Sequence, residues 1–129
     1  MESFFGYADM IEEYRTTLEG LELPEGASIE ATPSVSDPSG SYQVGYGEVD
    51  AVIAWNCAWG QEWLAVRGTS EPEAAHALEM YASILETAAF ERAFDDQSAK
   101  PVVRGIIEKA QLGDPSGVQQ DVAANCPAT

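Results

Sequence analysis

Residues 48–67 are the stretch of sequence that most restricts the fold of this chain. Placed on a helix, the large apolar side chains of this stretch cover an arc of about 200°. They are Val49, Val52, Ile53, Trp55, Cys57, Trp59, Trp63, Leu64 and Val66. A helix that is apolar over so much of its circumference has to be contacted on more than one side. The stretch therefore predicts a central, Trp-rich helix and an all-α fold.

Helical patterns before and after this stretch predict four to five helices packed around it. A stripe of apolar residues predicts a helix over residues 4–19. The capping-box spacing of Ser70 and Glu73 predicts the start of another, which runs over about residues 71–95. Two shorter helices follow towards the C terminus. The length of 129 residues fits one domain, so we expect residues 1–129 to form a single helical domain.

The segment over residues 20–46 differs from its surroundings because it is rich in proline and glycine. This composition predicts a long irregular loop, with short extended pieces at residues 27–32 and 41–44. The tetrapeptide Asp-Pro-Ser-Gly begins in this loop at Asp37 and occurs again from Asp114. Because the flanking patterns do not match, turn and helix-cap chemistry explains both copies better than an internal repeat does.

The charge of the chain is strongly acidic, with 22 acidic side chains, 6 basic ones and a formal net charge of −16. The first fifty residues carry eleven of the acids and a single base, Arg15. Binding to nucleic acid or to an anionic membrane surface needs lysine and arginine, so the composition argues against both. The acidic N-terminal third favours solubility by mutual repulsion, and attraction of a cationic partner or a divalent cation is the alternative.

Two cysteines, Cys57 and Cys126, allow two interpretations. Free buried thiols are typical of a cytosolic protein, whereas a disulfide is typical of an extracytoplasmic one. A cysteine so close to the C terminus rarely lies in a core unless something holds it there, which favours the disulfide. The bridge would close a loop of about 70 residues and stabilise the fold by roughly 4 kcal/mol in the chain-entropy model.

Three tryptophans on the central helix are the candidate ligand-binding residues. Trp55, Trp59 and Trp63 are spaced four residues apart and form one aromatic strip. Packing in the core is one interpretation, and a partly open groove that binds a sugar or an organic cation is the other. Asn56 lies within the apolar arc, where its amide needs hydrogen-bond partners, and the backbone of the Pro/Gly loop offers candidates. The predicted binding residues are thus Trp55, Asn56, Trp59 and Trp63.

Catalytic chemistry finds little support in the residues. Glu73 and His76 form a Glu-x-x-His step, but a di-iron site needs a second such motif and His76 is the single histidine of the chain. Adjacent carboxylates are frequent, and nothing marks one pair as a general acid and base. Nucleotide-binding, calcium-binding and Cys-x-x-Cys motifs are absent from the sequence. We therefore predict no catalytic residue, no metal ligand and no cofactor.

Four short motifs stand out along the chain: Leu23-Pro24-x-Gly26, Gly45-Tyr46-Gly47, Trp55-x-Cys57-Ala58-Trp59 with Trp63-Leu64, and Asn125-Cys126-Pro127. They resemble the extracytoplasmic part of small membrane-anchored or secreted actinobacterial proteins, in which a helical domain that ends near a cysteine follows a membrane helix. The resemblance implies export and a disulfide, and it implies no activity. Since the sequence holds neither a membrane-spanning stretch nor a signal peptide, the anchor is expected in a segment outside this chain.

Together these observations predict a non-enzymatic extracytoplasmic module for protein interaction or sensing. The alternative is a small-ligand-binding or hydrolytic domain that uses a Trp-lined groove with acidic residues nearby. The expected partner is a protein or a small ligand rather than a nucleic acid, and self-association into a homodimer stays open.

Overall fold

The computed structural model describes residues 3–30, 33 and 37–127. The expected all-α class is confirmed, since 66% of the protein is helical and only one small two-stranded sheet accompanies the helices. Two compact units divide the chain: unit 1 ends at Trp55 and unit 2 begins at Asn56. The boundary falls inside the central helix. The single domain expected from the sequence stays a prediction.

The described strands and helices are β1 (Phe4–Gly6), α1 (Tyr7–Glu19), β2 (Ser41–Gln43), α2 (Tyr46–Val66), α3 (Glu71–Ala82), a short 3-10 helix (Ser83–Glu86), α4 (Ala88–Ala93), α5 (Ala99–Gln111) and α6 (Ser116–Asn125). The predicted central helix is α2, which begins two residues before the expected position and ends one residue before it. Besides α2 the described part contains five α-helices, in agreement with the four to five expected, although the helix predicted over residues 71–95 is interrupted.

The first residues of unit 1 correct the prediction of a helix over residues 4–19. Residues 4–6 are strand β1, which pairs antiparallel with β2 so that Phe5 faces Tyr42. Residues 4–6 form a strand rather than a helix because β2 supplies hydrogen-bond partners for their backbone, and the local sequence pattern does not reveal this distant partner. Of the expected extended pieces, the one at 41–44 is β2. Residues 27–30 of the other piece have no regular structure, and residues 31–32 lie outside the described part.

A close contact between α1 and the start of α2 explains the Gly45-Tyr46-Gly47 motif. A Cβ atom on Gly47 would lie 2.5 Å from the carbonyl oxygen of Met10 and 2.8 Å from the amide nitrogen of Tyr14, so only glycine fits. The Glu13 carboxylate accepts hydrogen bonds from the amide of Gly45 at 3.0 Å and from that of Glu48 at 3.1 Å. Glu13 on α1 therefore caps α2, whose first amides have no partner within their own helix.

Two aromatic side chains fasten the Pro/Gly loop of unit 1. The hydroxyl of Tyr14 donates to the carbonyl oxygen of Glu30 at 2.9 Å. The indole nitrogen of Trp55 donates to the carbonyl oxygen of Glu22 at 2.8 Å. Because a loop has few backbone bonds of its own, such side-chain donors satisfy its carbonyl groups and hold its course over the helices.

In unit 2 the helix predicted over residues 71–95 is wrong in its length. The predicted start is confirmed, since the Ser70 hydroxyl accepts from the amide of Glu73. The helix ends after Ala82, and the Thr87 hydroxyl caps a new helix by accepting from the amide of Phe90 at 3.1 Å. Hydroxyl side chains compete with the backbone for hydrogen bonds and so break a helix where the apolar periodicity continues.

A buried lysine joins α4 to α5 in unit 2. Lys100 is 3% exposed, and its ammonium group donates to the Glu91 carbonyl oxygen at 2.9 Å and to the Asp96 carboxylate. The same group lies 5.7 Å from the centre of the Phe90 ring. The hydrogen bond to Asp96 is the main cause that raises the pKa of Lys100. The buried ammonium group therefore finds its hydrogen-bond acceptors and its aromatic contact within ten residues along the chain.

Candidate functional site

The two cysteines of unit 2 form the disulfide expected from the sequence. The Sγ atoms of Cys57 and Cys126 lie at bonding distance, and their Cα atoms are 5.6 Å apart across 69 residues of chain. The Gln61 side-chain amide also donates to the carbonyl oxygen of Pro127 at 3.0 Å. The described end of the chain is thus fastened to the middle of α2 rather than left to fray.

The predicted binding tryptophans are buried. Trp55, Trp59 and Trp63 are 3%, 4% and 5% exposed. The Trp59 ring meets the ring of His76 edge to face with centroids 5.3 Å apart. The Arg67 guanidinium lies 5.5 Å from the centre of the Trp63 ring. A ligand would reach these rings only after neighbouring side chains moved apart. The Trp-lined groove therefore stays a prediction, and the burial of the three rings does not favour it.

Asn56 has a partner other than the one expected. Its side-chain amide donates at 2.8 Å to the carbonyl oxygen of Tyr81 in α3, not to the Pro/Gly loop. The Tyr81 hydroxyl in turn donates to the Asp121 carboxylate at 2.6 Å, and this carboxylate accepts from the side-chain amide of Asn125 at 2.9 Å. Burial, followed by the hydrogen bond to Asp121, raises the pKa of Tyr81. These hydrogen bonds connect α2, α3 and α6 beside the disulfide. Asn56 therefore stabilises the packing of these helices.

The single histidine lies on the surface of α3. His76 is exposed, apart from the edge contact with Trp59 described above. No group of three or more potential metal-ligating side chains occurs among residues 3–30, 33 and 37–127. In the same described residues, no helix is both long enough and apolar enough to cross a membrane.

An open cleft of about 580 Å³ lies between α3, the 3-10 helix and the end of α5. The cleft is lined by Ala75, Leu78, Glu79, Met80, Ala82, Ser83, Leu85, Glu86 and Gln111. Ala75, Leu78 and Ala82 are spaced three and four residues apart, so one apolar stripe of α3 forms a wall of the cleft.

The charge around the cleft has one sign. Glu79 and Glu86 are exposed at its edge, and no lysine or arginine is among the residues that line it. Leu112, directly after the lining residue Gln111, is 88% exposed. An apolar wall with carboxylates at the edge suits a ligand that is apolar on one side and cationic at its margin.

Sequence reasoning missed this cleft because it predicted one unbroken helix over residues 71–95. Leu78 and Leu85 lie within that stretch, and both are half-buried in the cleft wall. The signal that could have revealed it is the pair Ser83 and Thr87. Their hydroxyls donate to carbonyl oxygens three residues back, at 2.6 Å and 2.8 Å, and mark the break that opens the cleft.

The described residues thus form a mostly helical, acidic protein with one disulfide and an open, partly apolar cleft. The chain matches no protein-family model, no curated protein and no solved structure. Its function is therefore argued from the chemistry of its own surfaces.

Proposed function

We propose that this chain is a non-enzymatic protein-interaction module of an extracytoplasmic compartment, and that its cleft binds a basic amphipathic helix of a partner protein. The observation that carries the proposal is the cleft beside α3, whose apolar wall is bordered by Glu79 and Glu86. Grooves of this kind recur as docking sites for helices that present apolar side chains every three to four residues.

The two features of the cleft have separate tasks in this proposal. Burial of the partner's apolar side chains against Ala75, Leu78 and Ala82 supplies most of the affinity. Exposed ion pairs contribute little free energy, so Glu79 and Glu86 mainly select a partner with lysine or arginine and fix its direction. The net charge of −16 favours a basic partner in the same sense.

The disulfide supports the proposed compartment. Bonds such as Cys57–Cys126 persist in oxidising surroundings and are rare in the reducing cytosol. The motifs that resemble exported actinobacterial proteins favour the same location. Counting free thiols in protein taken from its native cells under alkylating conditions tests this: two alkylated cysteines would contradict an extracytoplasmic site.

Binding of designed peptides tests the cleft directly. The probe is a helical peptide of about 14 residues with one apolar face bordered by lysines. Two further peptides replace the lysines by glutamate or the apolar residues by serine. The protein variants are Ala75→Arg, which places a cation and a long side chain in the cleft, and Ala123→Arg, which makes the same change at an exposed position of α6.

We expect the lysine peptide to bind the wild-type protein, and the Ala75→Arg variant to bind it at least about tenfold more weakly. Ala123→Arg should change the dissociation constant by less than about twofold. Equal weakening by the two arginine variants would show only general charge attraction. Equal binding of the glutamate peptide would contradict the role given to Glu79 and Glu86.

A further inference from the structure

Three tyrosines of unit 1, Tyr7, Tyr42 and Tyr46, form a contiguous aromatic surface, called here the tyrosine cluster. The ring centroids of Tyr7 and Tyr42 are 6.4 Å apart, and those of Tyr42 and Tyr46 are 5.3 Å apart. The planes of the two pairs are tilted by 53° and 51°, so the rings meet at an angle and do not stack flat. All three residues are half-buried, which leaves part of each at the surface.

Tyr42, the central ring of the tyrosine cluster, is held in place by a turn. The Tyr42 hydroxyl donates to the carbonyl oxygen of Asp37 at 2.8 Å and accepts from the Asp37 amide. A Cβ atom on Gly40 would come within 3.2 Å of the Tyr42 ring, so the glycine lets the turn lie close against it. Tyr7 and Tyr46 are the first residues of α1 and α2, two elements already fixed by their mutual packing.

A carboxylate lies next to this surface. Asp50 follows Tyr46 by one turn on the same face of α2 and is half-buried. Burial raises the pKa of Asp50. The pKa of Tyr46 is raised by burial first and then by the charge of Asp50, in keeping with their spacing of one helical turn.

The charge of Asp50 is poorly balanced by the protein. Residues 1–55 contain one basic side chain, Arg15, against eleven acids. No ion pair joins Asp50 to a basic side chain among residues 3–30, 33 and 37–127. A half-buried carboxylate one helical turn from Tyr46, without a cationic partner in the described residues and next to partly exposed aromatic rings, is a combination that attracts organic cations.

We propose that the tyrosine cluster and Asp50 form a binding site for a quaternary ammonium group. The aromatic faces attract a cation through their quadrupoles but offer it few hydrogen-bond acceptors. A weakly hydrated, methylated cation loses little by leaving water, whereas a small hydrated ion loses much. This site lies in unit 1 and is independent of the cleft in unit 2, so either proposal can fail alone.

Titration with tetramethylammonium chloride, followed through the NMR signals of the tyrosine rings, tests the proposal. Potassium chloride at equal ionic strength is the control titration. The variants are Asp50→Asn, which removes the charge at constant size, and Glu25→Gln, which removes a charge at an exposed position of the same unit. Tyr46→Leu and Tyr46→Phe separate the aromatic ring from the hydroxyl.

We expect saturable shifts of the Tyr7, Tyr42 and Tyr46 signals with tetramethylammonium only. Asp50→Asn and Tyr46→Leu should each weaken binding about fivefold, while Tyr46→Phe and Glu25→Gln should change it less than about twofold. Identical responses to the two salts would overturn the proposal. So would equal weakening by Asp50→Asn and Glu25→Gln, since a diffuse acidic field would then explain the attraction. If Tyr46→Leu does not fold, the Asp50→Asn comparison still decides.

Discussion

Units 1 and 2 contain the same number of acidic side chains but differ in how they are stabilised. Residues 1–55 carry eleven acids against one base, and residues 56–129 carry eleven against five. Unit 1 relies on a glycine contact, a carboxylate that caps a neighbouring helix, and aromatic donors to its loop. Unit 2 has a disulfide and a buried, fully paired lysine.

This comparison shows that acidic side chains stabilise the fold where they accept hydrogen bonds from groups that would otherwise lack a partner. In unit 1 the positively polarised amides at the start of α2 do for the carboxylate of Glu13 what a cation would do elsewhere. In unit 2 the carboxylate of Asp96 instead serves the ammonium group of Lys100. A chain with few bases can thus use helix ends as its positive charges.

Removal of the disulfide should have the largest effect and should act on unit 2. The double variant Cys57→Ala and Cys126→Ala is expected to lower the free energy of unfolding by about 4 kcal/mol, because the unfolded chain regains the entropy of a long loop. Urea unfolding measures the loss. Hydrogen exchange should rise in α6 before it rises in α1, and equal acceleration in both would contradict two separate means of stabilisation.

The glycine contact of unit 1 should give the next largest effect. Gly47→Ala is expected to cost about 1–3 kcal/mol, because the new Cβ atom would meet backbone atoms of α1 that cannot move away easily. The matched control is Gly105→Ala in α5, where a Cβ atom would meet nothing within 4 Å. That change should stabilise by about 0.5–1 kcal/mol through helix propensity. Thermal unfolding of both variants measures these opposite signs.

Such contacts mark the limit of what the sequence could predict. The position of α2 follows from local periodicity, and the turns at Asp37 and Asp114 follow from local chemistry. In each turn the aspartate carboxylate accepts from the amide of the serine two residues later at 3.0 Å. Strand β1 and the capping task of Glu13 depend on partners more than thirty residues away. Nothing local distinguishes Glu13 from its neighbour Glu12.

The same pair of glutamates provides a third prediction. Glu13→Gln should lower stability by about 1 kcal/mol, since a neutral amide accepts the hydrogen bonds of Gly45 and Glu48 less strongly than a carboxylate does. Glu12→Gln removes the same charge from an exposed position of α1. That control should change stability by less than about 0.5 kcal/mol. If the two variants lose equally in urea unfolding, the capping contact contributes nothing beyond net charge.

The smallest expected effect concerns the tyrosines of the two units at alkaline pH. The pKa values of Tyr14 and Tyr46 in unit 1 and of Tyr81 in unit 2 are raised above the usual 10.0, in each case chiefly by burial. The folded protein thus keeps protons that the unfolded chain loses near pH 10. This part of the stability is fully present below that pH and is lost as the pH rises through the raised values.

The secondary causes differ between the units, and this difference can be measured. The charge of Asp50 contributes to the raised pKa of Tyr14 and Tyr46, whereas Asp121 contributes to that of Tyr81. Asp50→Asn should therefore lower the pKa of Tyr14 and Tyr46 and leave that of Tyr81 unchanged, and added salt should also lower the pKa of Tyr14 and Tyr46. Ultraviolet absorbance of tyrosinate, with Tyr81→Phe to assign the unit 2 signal, records the titration. A shift of Tyr81 in the Asp50→Asn variant would mean that the two units share one electrostatic environment.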